Sequence, residues 1–357
     1  MRPVARPMPL SDAAGYPVWA NALIFLAAAA VVWISGGRLT RHLDAIAAKT
    51  GMEQVFVGML LLGGITSLPE VANTVTASSI GNPALAVNNL LGSAAINVLL
   101  LAVVDGFVGR AAVTSIVARP STMMMAALCM IVLILIAAII TVGDVMIPGI
   151  GVGVGSLAVG AAAIFSFWLA AGHDRRSPWS VDEDGDGRPD AEEAEGQVEP
   201  DLTLAGLWWR VALDGALIFA AGYALSQTGD AIATQAGLTS AIVGFALIGA
   251  ATSLPELVTI VAALKLGRPE MAFGQVLGTN FVNLALLPLG DAVFRGPPLM
   301  ETLGSFETVS ALLGATLIGV FMVGLLEHRD RTIWKMGVDS AVVILIFAAG
   351  SAVLAMI

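Results

Sequence analysis

The chain has 357 residues, of which 57% are hydrophobic and only 12% are charged, and its mean hydropathy is +0.87. A water-soluble domain of this length needs far more surface charge, so this composition excludes a soluble globular protein. The single cysteine, Cys129, excludes an internal disulfide framework. The net charge of −10 is concentrated in residues 182 to 201, and we expect no nucleic-acid partner.

Breaks at glycine, proline and charge clusters predict an all-α membrane protein with ten transmembrane helices, in two sets of five. The first set lies at 18–36, 53–79, 84–105, 120–141 and 146–171, and the second at 204–226, 239–265, 270–292, 305–326 and 334–356. The chain thus divides into a first repeat (1–171), a polar segment (172–203) and a second repeat (204–357). The first apolar segment lacks a small-residue cleavage site, which favours a retained helix over a signal peptide.

The basic residues test this helix count. Of the 17 Lys and Arg residues, 14 fall on one side of the predicted membrane and three on the other. Because basic residues accumulate on the cytoplasmic side, we expect both termini on the external side of the cell membrane and the polar segment in the cytoplasm. Asp214 follows Arg210 by four residues, so we expect local pairing near a helix end to account for this acid.

Two thirteen-residue stretches combine features that apolar helices normally exclude. Residues 63–75 read GGITSLPEVANTV and residues 249–261 read GAATSLPELVTIV. Each places a proline and then a glutamate inside an apolar run. Neither Glu70 nor Glu256 has a basic residue within the preceding dozen positions, so no local partner explains these carboxylates.

The two stretches belong to an internal duplication. A displacement of 186 positions aligns the halves without a gap, so that Gly92 aligns with Gly278 and Asn97 with Asn283. Because each half holds five spans, the second copy enters the membrane from the opposite side. This pattern predicts an inverted repeat, which is typical of secondary transporters whose site lies near the midplane.

The repeated motif is rich in oxygen. Each proline frees a backbone carbonyl, and glycines such as Gly63 and Gly64 let the backbone bend and let helices approach closely. Carboxylates, hydroxyls and amides then lie on the same few helical turns: Thr66, Ser67, Glu70, Ser93 and Asn97 in the first half, and Thr252, Ser253, Glu256, Thr279 and Asn283 in the second. An all-oxygen set suits Ca²⁺ or Na⁺, and the lack of nearby His or Cys argues against zinc or copper.

These residues resemble the two alpha repeats of the cation/calcium exchanger superfamily, above all its sodium/calcium exchangers. GITSLPE and AATSLPE resemble the repeat cores, and GSAAINVLL and GTNFVNLALL resemble the segments that come after them. The resemblance covers nearly the whole chain apart from the central segment. It implies a monomeric antiporter, not an enzyme, that exports Ca²⁺ against inward Na⁺ by alternating access.

The resemblance also implies a role for each motif residue. Glu70 and Glu256 would be the principal ligands of Ca²⁺ and Na⁺. The hydroxyl residues of both motifs, with the backbone of Gly63 and Gly249, would bind Na⁺. The remaining ligands would be Ser93, Asn97, Thr279 and Asn283.

Two departures and three alternatives bear on this interpretation. Some relatives, including potassium-dependent ones, carry Asp where this chain has Asn283, which weakens a potassium requirement. Proton-coupled relatives typically replace Ser-Leu-Pro-Glu by another motif, so H⁺ coupling is the runner-up to Na⁺ coupling. An ion channel and an intramembrane enzyme are disfavoured, because inverted repeats suit occlusion and no catalytic arrangement stands out.

The central segment contains a second candidate site. Residues 182–193, DEDGDGRPDAEE, match the calcium-loop pattern of EF-hands. The ligand positions would be Asp182, Asp184, Asp186, Arg188 through its carbonyl, Asp190 and Glu193. Pro189 and poorly helical flanks count against a standard hand, and a solvated acidic linker is the alternative. We expect a cytoplasmic loop that binds regulatory Ca²⁺.

Overall fold

The computed structural model describes residues 13–108, 113–116, 120–171, 203–236, 252–327, 332–333 and 336–357. Nearly all of them are helical. The first half contains α1 (Val18–Thr50), α2 (Gln54–Phe56), a π-helical turn (Val57–Leu62), α3 (Gly63–Thr66), α4 (Leu68–Ser79), α5 (Pro83–Val108), α6 (Val113–Ile116), α7 (Pro120–Val142) and α8 (Val154–Ala171).

The second half has a similar plan. It contains α9 (Leu204–Gln235), α10 (Leu254–Lys265), α11 (Pro269–Ala285), α12 (Leu287–Val293), α13 (Ser305–Glu327) and α14 (Val338–Leu354). Short 3₁₀ helices lie at Ala13–Gly15 and Leu299–Thr302, and strands β1 (Thr332–Ile333) and β2 (Met336–Gly337) form a small antiparallel pair.

The described residues contain seven helices long and apolar enough to cross a membrane, and one further bent pair that passes the same test. The bent pair is Gln54–Thr66 with Leu68–Ser79, and α14 is a shorter apolar helix. Most of the predicted spans therefore have a counterpart. Much of the predicted span 239–265 lies outside the described residues.

The first helix of each half is longer than predicted. Helix α1 continues past the predicted end at 36 to Thr50, where Gly51 caps it in the left-handed conformation (φ 70°). Long basic side chains can reach water from a helix, so the charges of Arg38 and Lys49 do not end it. His42, which lies after the predicted end of this span, is consequently buried on α1. Helix α9 likewise extends beyond the predicted 226 to Gln235.

Two predicted helix starts are too early. Helix α8 begins at Val154 and not at 146, because Gly149 and Gly151 adopt positive φ (87° and 74°) and the backbone turns there. Asp144 accepts a hydrogen bond from the backbone nitrogen of Gly155 (2.6 Å), which caps the start of α8. Helix α14 begins at Val338, after the small strand pair, and not at 334.

Corresponding helices begin at a constant interval. Helix α4 begins at Leu68 and α10 at Leu254, while α5 begins at Pro83 and α11 at Pro269. Both pairs are separated by 186 residues, which is the displacement that aligns the two halves in sequence.

Helix α11 lies at the centre of the bundle, where it packs against the π-helical turn, α5, α7, α8 and α10. Its contact with the π-helical turn depends on glycine. A methyl group added at Gly278 would lie 2.5 Å from the carbonyl oxygen of Met59, and one at Gly63 would lie 2.8 Å from the backbone nitrogen of Thr279. The expected close approach is therefore present at Gly63. At Gly64 no described residue comes within 4 Å of such a group.

This contact makes a prediction about stability. Gly278→Ala forces two backbones apart. We therefore expect the free energy of unfolding to fall by about 1–3 kcal/mol, or the variant to fail to fold. Gly64→Ala is the control, because the added methyl group meets no described residue within 4 Å. The measurement is the thermal unfolding midpoint of the purified full chain in detergent. Equal midpoints for the two variants would contradict the close packing.

Candidate functional site

The first motif lies at a break in a helix. Helix α3 ends at Thr66 and α4 begins at Leu68, and the segments on either side meet at 41°. Pro69 occupies the first turn of α4, where its missing N–H costs nothing. Glu70 comes directly after it and is fully buried. The predicted interruption at this proline is confirmed.

The second motif has the same local form. Helix α10 begins at Leu254, with Pro255 in its first turn and Glu256 directly after it. Glu256 is also fully buried. The residues on the other side of this break, including Gly249, lie outside the described residues. The corresponding predicted backbone ligand therefore stays a prediction.

Ser93 of α5 connects the two motifs. Its hydroxyl donates a hydrogen bond to Oε1 of Glu70 (3.1 Å) and lies 3.2 Å from the hydroxyl of Thr252. Ser253 donates to the same oxygen of Ser93 (3.4 Å). Ser93 and Ser253 are 160 residues apart in the chain, and both halves therefore contribute to one cluster of side chains.

The predicted amide of Asn97 belongs to a second hydrogen-bonded group on α5 and α11. Nδ2 of Asn97 donates to Oδ1 of Asn280 (3.3 Å), and Nδ2 of Asn280 donates to the carbonyl oxygen of Ala94 (3.3 Å). Thr279 and Asn283 lie on α11 and are fully buried. Thr279 is held against Gly63 by the close backbone contact between α11 and α3.

Thr66 and Ser67 bond to their own helical segment. The hydroxyl of Thr66 donates to the carbonyl of Leu62 (3.0 Å), and that of Ser67 donates to the carbonyl of Gly63 (2.7 Å). Each hydroxyl oxygen keeps lone pairs that can accept a bond or ligate a cation.

Several buried polar atoms of this region have no hydrogen-bond partner among the described residues. They include one carboxylate oxygen of Glu70 and both of Glu256. The others are the hydroxyl of Thr279, Oδ1 of Asn97 and both amide atoms of Asn283. Buried polar groups are normally paired, and an unpaired buried carboxylate is especially unfavourable. This oxygen-rich arrangement is suited to a hard cation.

The ligand set combines little charge with many neutral oxygens. Within the described ranges, no three His, Cys, Asp or Glu side chains come together as a metal-binding group. The described site combines two carboxylates with neutral oxygens, a kind of donor set that Ca²⁺ accepts. The predicted calcium loop of Asp182, Asp184, Asp186, Arg188, Asp190 and Glu193 lies outside the described residues.

Three buried amides that the sequence analysis missed lie next to the site. Asn89 accepts a hydrogen bond from Thr252 (3.4 Å), and Gln275 donates a short one to Thr259. These two amides align across the 186-residue displacement, which was a usable signal. Asn280 aligns with Ala94, so the repeat carries no signal for it.

The expected explanation of Asp214 needs correction. This residue is buried on α9, and its carboxylate contacts Nδ1 of His42 (3.1 Å) and Nε of Arg38 (3.4 Å) on α1. The partners come from another helix, because α1 extends far enough to place both side chains beside α9. Local sequence spacing cannot reveal such a contact.

Comparison with known proteins places the chain in a family. The family described as "Sodium/calcium exchanger protein" matches residues 20–171 and 206–356. The inner membrane protein YrbG of Escherichia coli is 27% identical over 304 residues, which cover 84% of this chain and 87% of that protein. The sodium/calcium exchanger MaX1 of Methanosarcina acetivorans is 29% identical over 111 residues, covering 31% of this chain and 29% of that protein.

A solved structure shares the fold. The sodium-calcium exchanger NCX_Mj, soaked with Na⁺ and Ca²⁺, superposes with a TM-score of 0.66 at 16% sequence identity. The match covers 93% of this chain and 98% of that chain. The family match spans most of both halves, and the chain therefore belongs to the sodium/calcium exchanger family of multi-pass membrane transporters.

Proposed function

We propose that this chain exchanges Ca²⁺ for Na⁺ by alternating access, with Glu70 and Glu256 as the principal ligands. The observation that supports this most directly is that three of the four carboxylate oxygens of these fully buried side chains have no partner among the described residues. A cation bound there would replace the missing partners and neutralise the charge. The relatives named sodium/calcium exchangers point to the same pair of ions.

The remaining ligands are proposed from their placement. Ser93, Thr252 and Ser253 share one cluster with Glu70, while Asn97, Thr279 and Asn283 offer unpaired oxygens nearby. Thr66, Ser67 and the backbone carbonyls of Gly63 and Gly249 would complete separate Na⁺ positions. Calcium accepts six to eight oxygens in irregular geometry, so a shared and adaptable set fits it.

The charge balance at the two carboxylates explains why the transport of Ca²⁺ and that of Na⁺ would be coupled. Two carboxylates neutralise either one Ca²⁺ or two Na⁺, so the loaded carrier is nearly neutral in both cases. The empty carrier would hold two bare carboxylates in a medium of low dielectric, which is strongly unfavourable. The empty protein therefore resists the change between inward and outward states, and exchange of one ion for the other is favoured over leakage.

The proposed mechanism implies an arrangement of the chain in the membrane. We infer ten membrane spans in two inverted repeats, residues 1–171 and 204–357, joined by the polar segment 172–203. The constant interval of 186 residues between corresponding helices supports the repeat. The bias of basic residues supports termini outside and the segment 172–203 in the cytoplasm. One chain holds both halves of the site, which is compatible with a monomer.

The first test is ion coupling in proteoliposomes. We expect an outward-directed Na⁺ gradient to drive Ca²⁺ uptake, because both ions compete for the same carboxylates. Parallel vesicles with K⁺ or H⁺ gradients of matched size are the controls. Uptake driven only by H⁺ would establish the proton-coupled alternative, and uptake at channel-like rates without any gradient would exclude both exchangers.

The second test concerns the carboxylates. Glu70→Gln and Glu256→Gln each keep the shape of the side chain but halve the charge available to Ca²⁺, so we expect exchange to fall at least about a hundredfold, equivalent to about 2.7 kcal/mol. Asp214→Asn is the matched control, since this buried acid has protein partners outside the site. Exchange is measured as radioactive Ca²⁺ uptake by protein that elutes as a folded species. Near-normal exchange in either glutamine variant would refute the assignment.

A third test concerns regulation by the segment 182–193. We propose that Ca²⁺ binding there draws Asp182 towards Glu193 and shortens the tether between the halves, which shifts the equilibrium between states. A shift of about 1.4 kcal/mol changes that population ratio tenfold. The variant replaces Asp182, Asp184 and Asp186 together by Ala, and exchange is measured against cytoplasmic-side Ca²⁺. An unchanged activation profile would identify this segment as a solvated linker.

A further inference from the structure

The two half-helices that carry the glutamates differ on the turns after the glutamate. On α4 the buried face continues from Glu70 through Asn73, Thr74 and Ser78, which occupy successive turns on one side of the helix. The exposed fractions of the last three residues are 5%, 1% and 1%. The face that points into the protein therefore carries polar side chains up to the end of α4, with Ala77 between them.

These side chains have unsatisfied hydrogen-bonding atoms. Nδ2 of Asn73 and the hydroxyl oxygens of Thr74 and Ser78 have no partner within the described part of the chain. Some hydroxyls on other helices donate to the carbonyl four residues earlier, as Thr141 does (2.7 Å), whereas others, such as that of Ser156, are also buried and unpaired. What distinguishes α4 is that three unpaired polar side chains follow the buried carboxylate along one face of the helix. Polar atoms buried at membrane depth without partners are unfavourable unless they meet water or an ion during the working cycle.

On the corresponding face of α10, by contrast, the aligned residues leave no polar side-chain atom unpaired. Asn73 aligns with Thr259, whose hydroxyl donates to the carbonyl oxygens of Pro255 (2.9 Å) and Glu256 (3.0 Å). Thr74 aligns with Ile260, which is fully buried, and Ser78 aligns with Leu264. The three aligned positions thus carry unpaired polar side chains on α4. On α10 they carry one hydroxyl that is bonded within its own helix and two aliphatic side chains.

One neighbour of the α4 face packs closely against it through a glycine backbone. Helix α12 passes beside it at Gly290, where an added methyl group would lie 3.1 Å from Thr74 and 3.3 Å from the hydroxyl of Ser78. A glycine has no side chain with which to cover the hydroxyls or bond to them. A displacement of α12 from α4 during the working cycle would therefore uncover Thr74 and Ser78.

We propose that Asn73, Thr74 and Ser78 line a hydrated path by which cations reach Glu70, and that α10 provides no equivalent path to Glu256. This inference rests on the proposed transport site and extends it, because it makes the two halves unequal in how ions arrive. Hydroxyl and amide groups spaced one turn apart can replace water molecules of a hydrated Na⁺ or Ca²⁺ step by step. The path is closed in the present conformation, so it opens during part of the cycle.

Cysteine labelling tests the path without requiring transport. Thr74→Cys and Ser78→Cys are introduced into the full chain in detergent, with Thr259→Cys and Ile260→Cys as controls at fully buried positions of α10. The native chain reports the background from Cys129, which is buried. We expect a charged, water-soluble methanethiosulfonate to modify the α4 cysteines at least about tenfold faster than the α10 cysteines, as measured by mass spectrometry, because water reaches only the α4 face.

Saturating Ca²⁺ supplies the second arm of this experiment. If the path serves the site, Ca²⁺ should change the labelling rate of Thr74→Cys at least about threefold and leave that of Ile260→Cys unchanged, because the ion favours one state of the cycle. Equal labelling of the α4 and α10 positions, or no Ca²⁺ effect on Thr74→Cys, would overturn the proposal. If one α4 variant does not fold, Asn73→Cys replaces it and is judged by the same rates.

The outcome separates this inference from the proposed function. Rapid, Ca²⁺-sensitive labelling on α4 together with no Na⁺-driven uptake would keep the path and reject Na⁺ as the coupling ion. Normal Na⁺-driven uptake with equal, slow labelling on both helices would keep the exchanger and reject the path. The repeat itself provides a functional check: Thr74→Ile, which places the α10 residue on α4, should slow exchange several-fold, whereas Ile260→Val should not.

Discussion

The structure depends on one electrostatic constraint, which is that two carboxylates lie fully buried with few protein donors. One oxygen of Glu70 accepts a hydrogen bond from Ser93, and neither oxygen of Glu256 is paired with a described residue. A bare carboxylate at membrane depth is costly, and these donors do not remove the cost. A cation bound there, as we propose, would remove this cost, and an exchanger needs a site of this kind because the site is then stable only when occupied.

Close backbone packing is the second requirement, because it brings neutral oxygen-bearing side chains to the carboxylates. The glycines at positions 63 and 278 let α11 approach the broken helix until backbone atoms touch. Ser93 then bridges the two motifs from α5. Small residues at helix interfaces are the general means by which membrane helices pack closely. In this chain they bring α11 and the broken helix close enough for one cation to meet oxygens from both, under the proposed function.

Much of the fold and of the candidate site was predictable from the sequence, because the relevant motifs were local or occurred in both halves. The helix break at Pro69, the bounds of α5, α7 and α13, and the family can all be inferred from motifs and composition. The length of α1 was not predictable, because the charges of Arg38 and Lys49 resemble the end of a span although long basic side chains reach water from within a helix. The partners of Asp214 were also hidden, because contacts between α1 and α9 join residues as far apart as His42 and Asp214.

Asn280 shows the limit of reasoning from the repeat. Duplication identifies positions that both halves need, so it finds Asn97 and Asn283 but cannot find residues that only one half uses. Asn280 bonds to Asn97 and to the backbone at Ala94, its own counterpart in the first half. The polar face of α4 is a second departure of this kind. A perfectly two-fold site would meet ions identically from both sides, whereas a transporter that moves different ions in opposite directions gains from unequal halves. The positions where the repeat fails are therefore where directional properties of this exchanger should be sought.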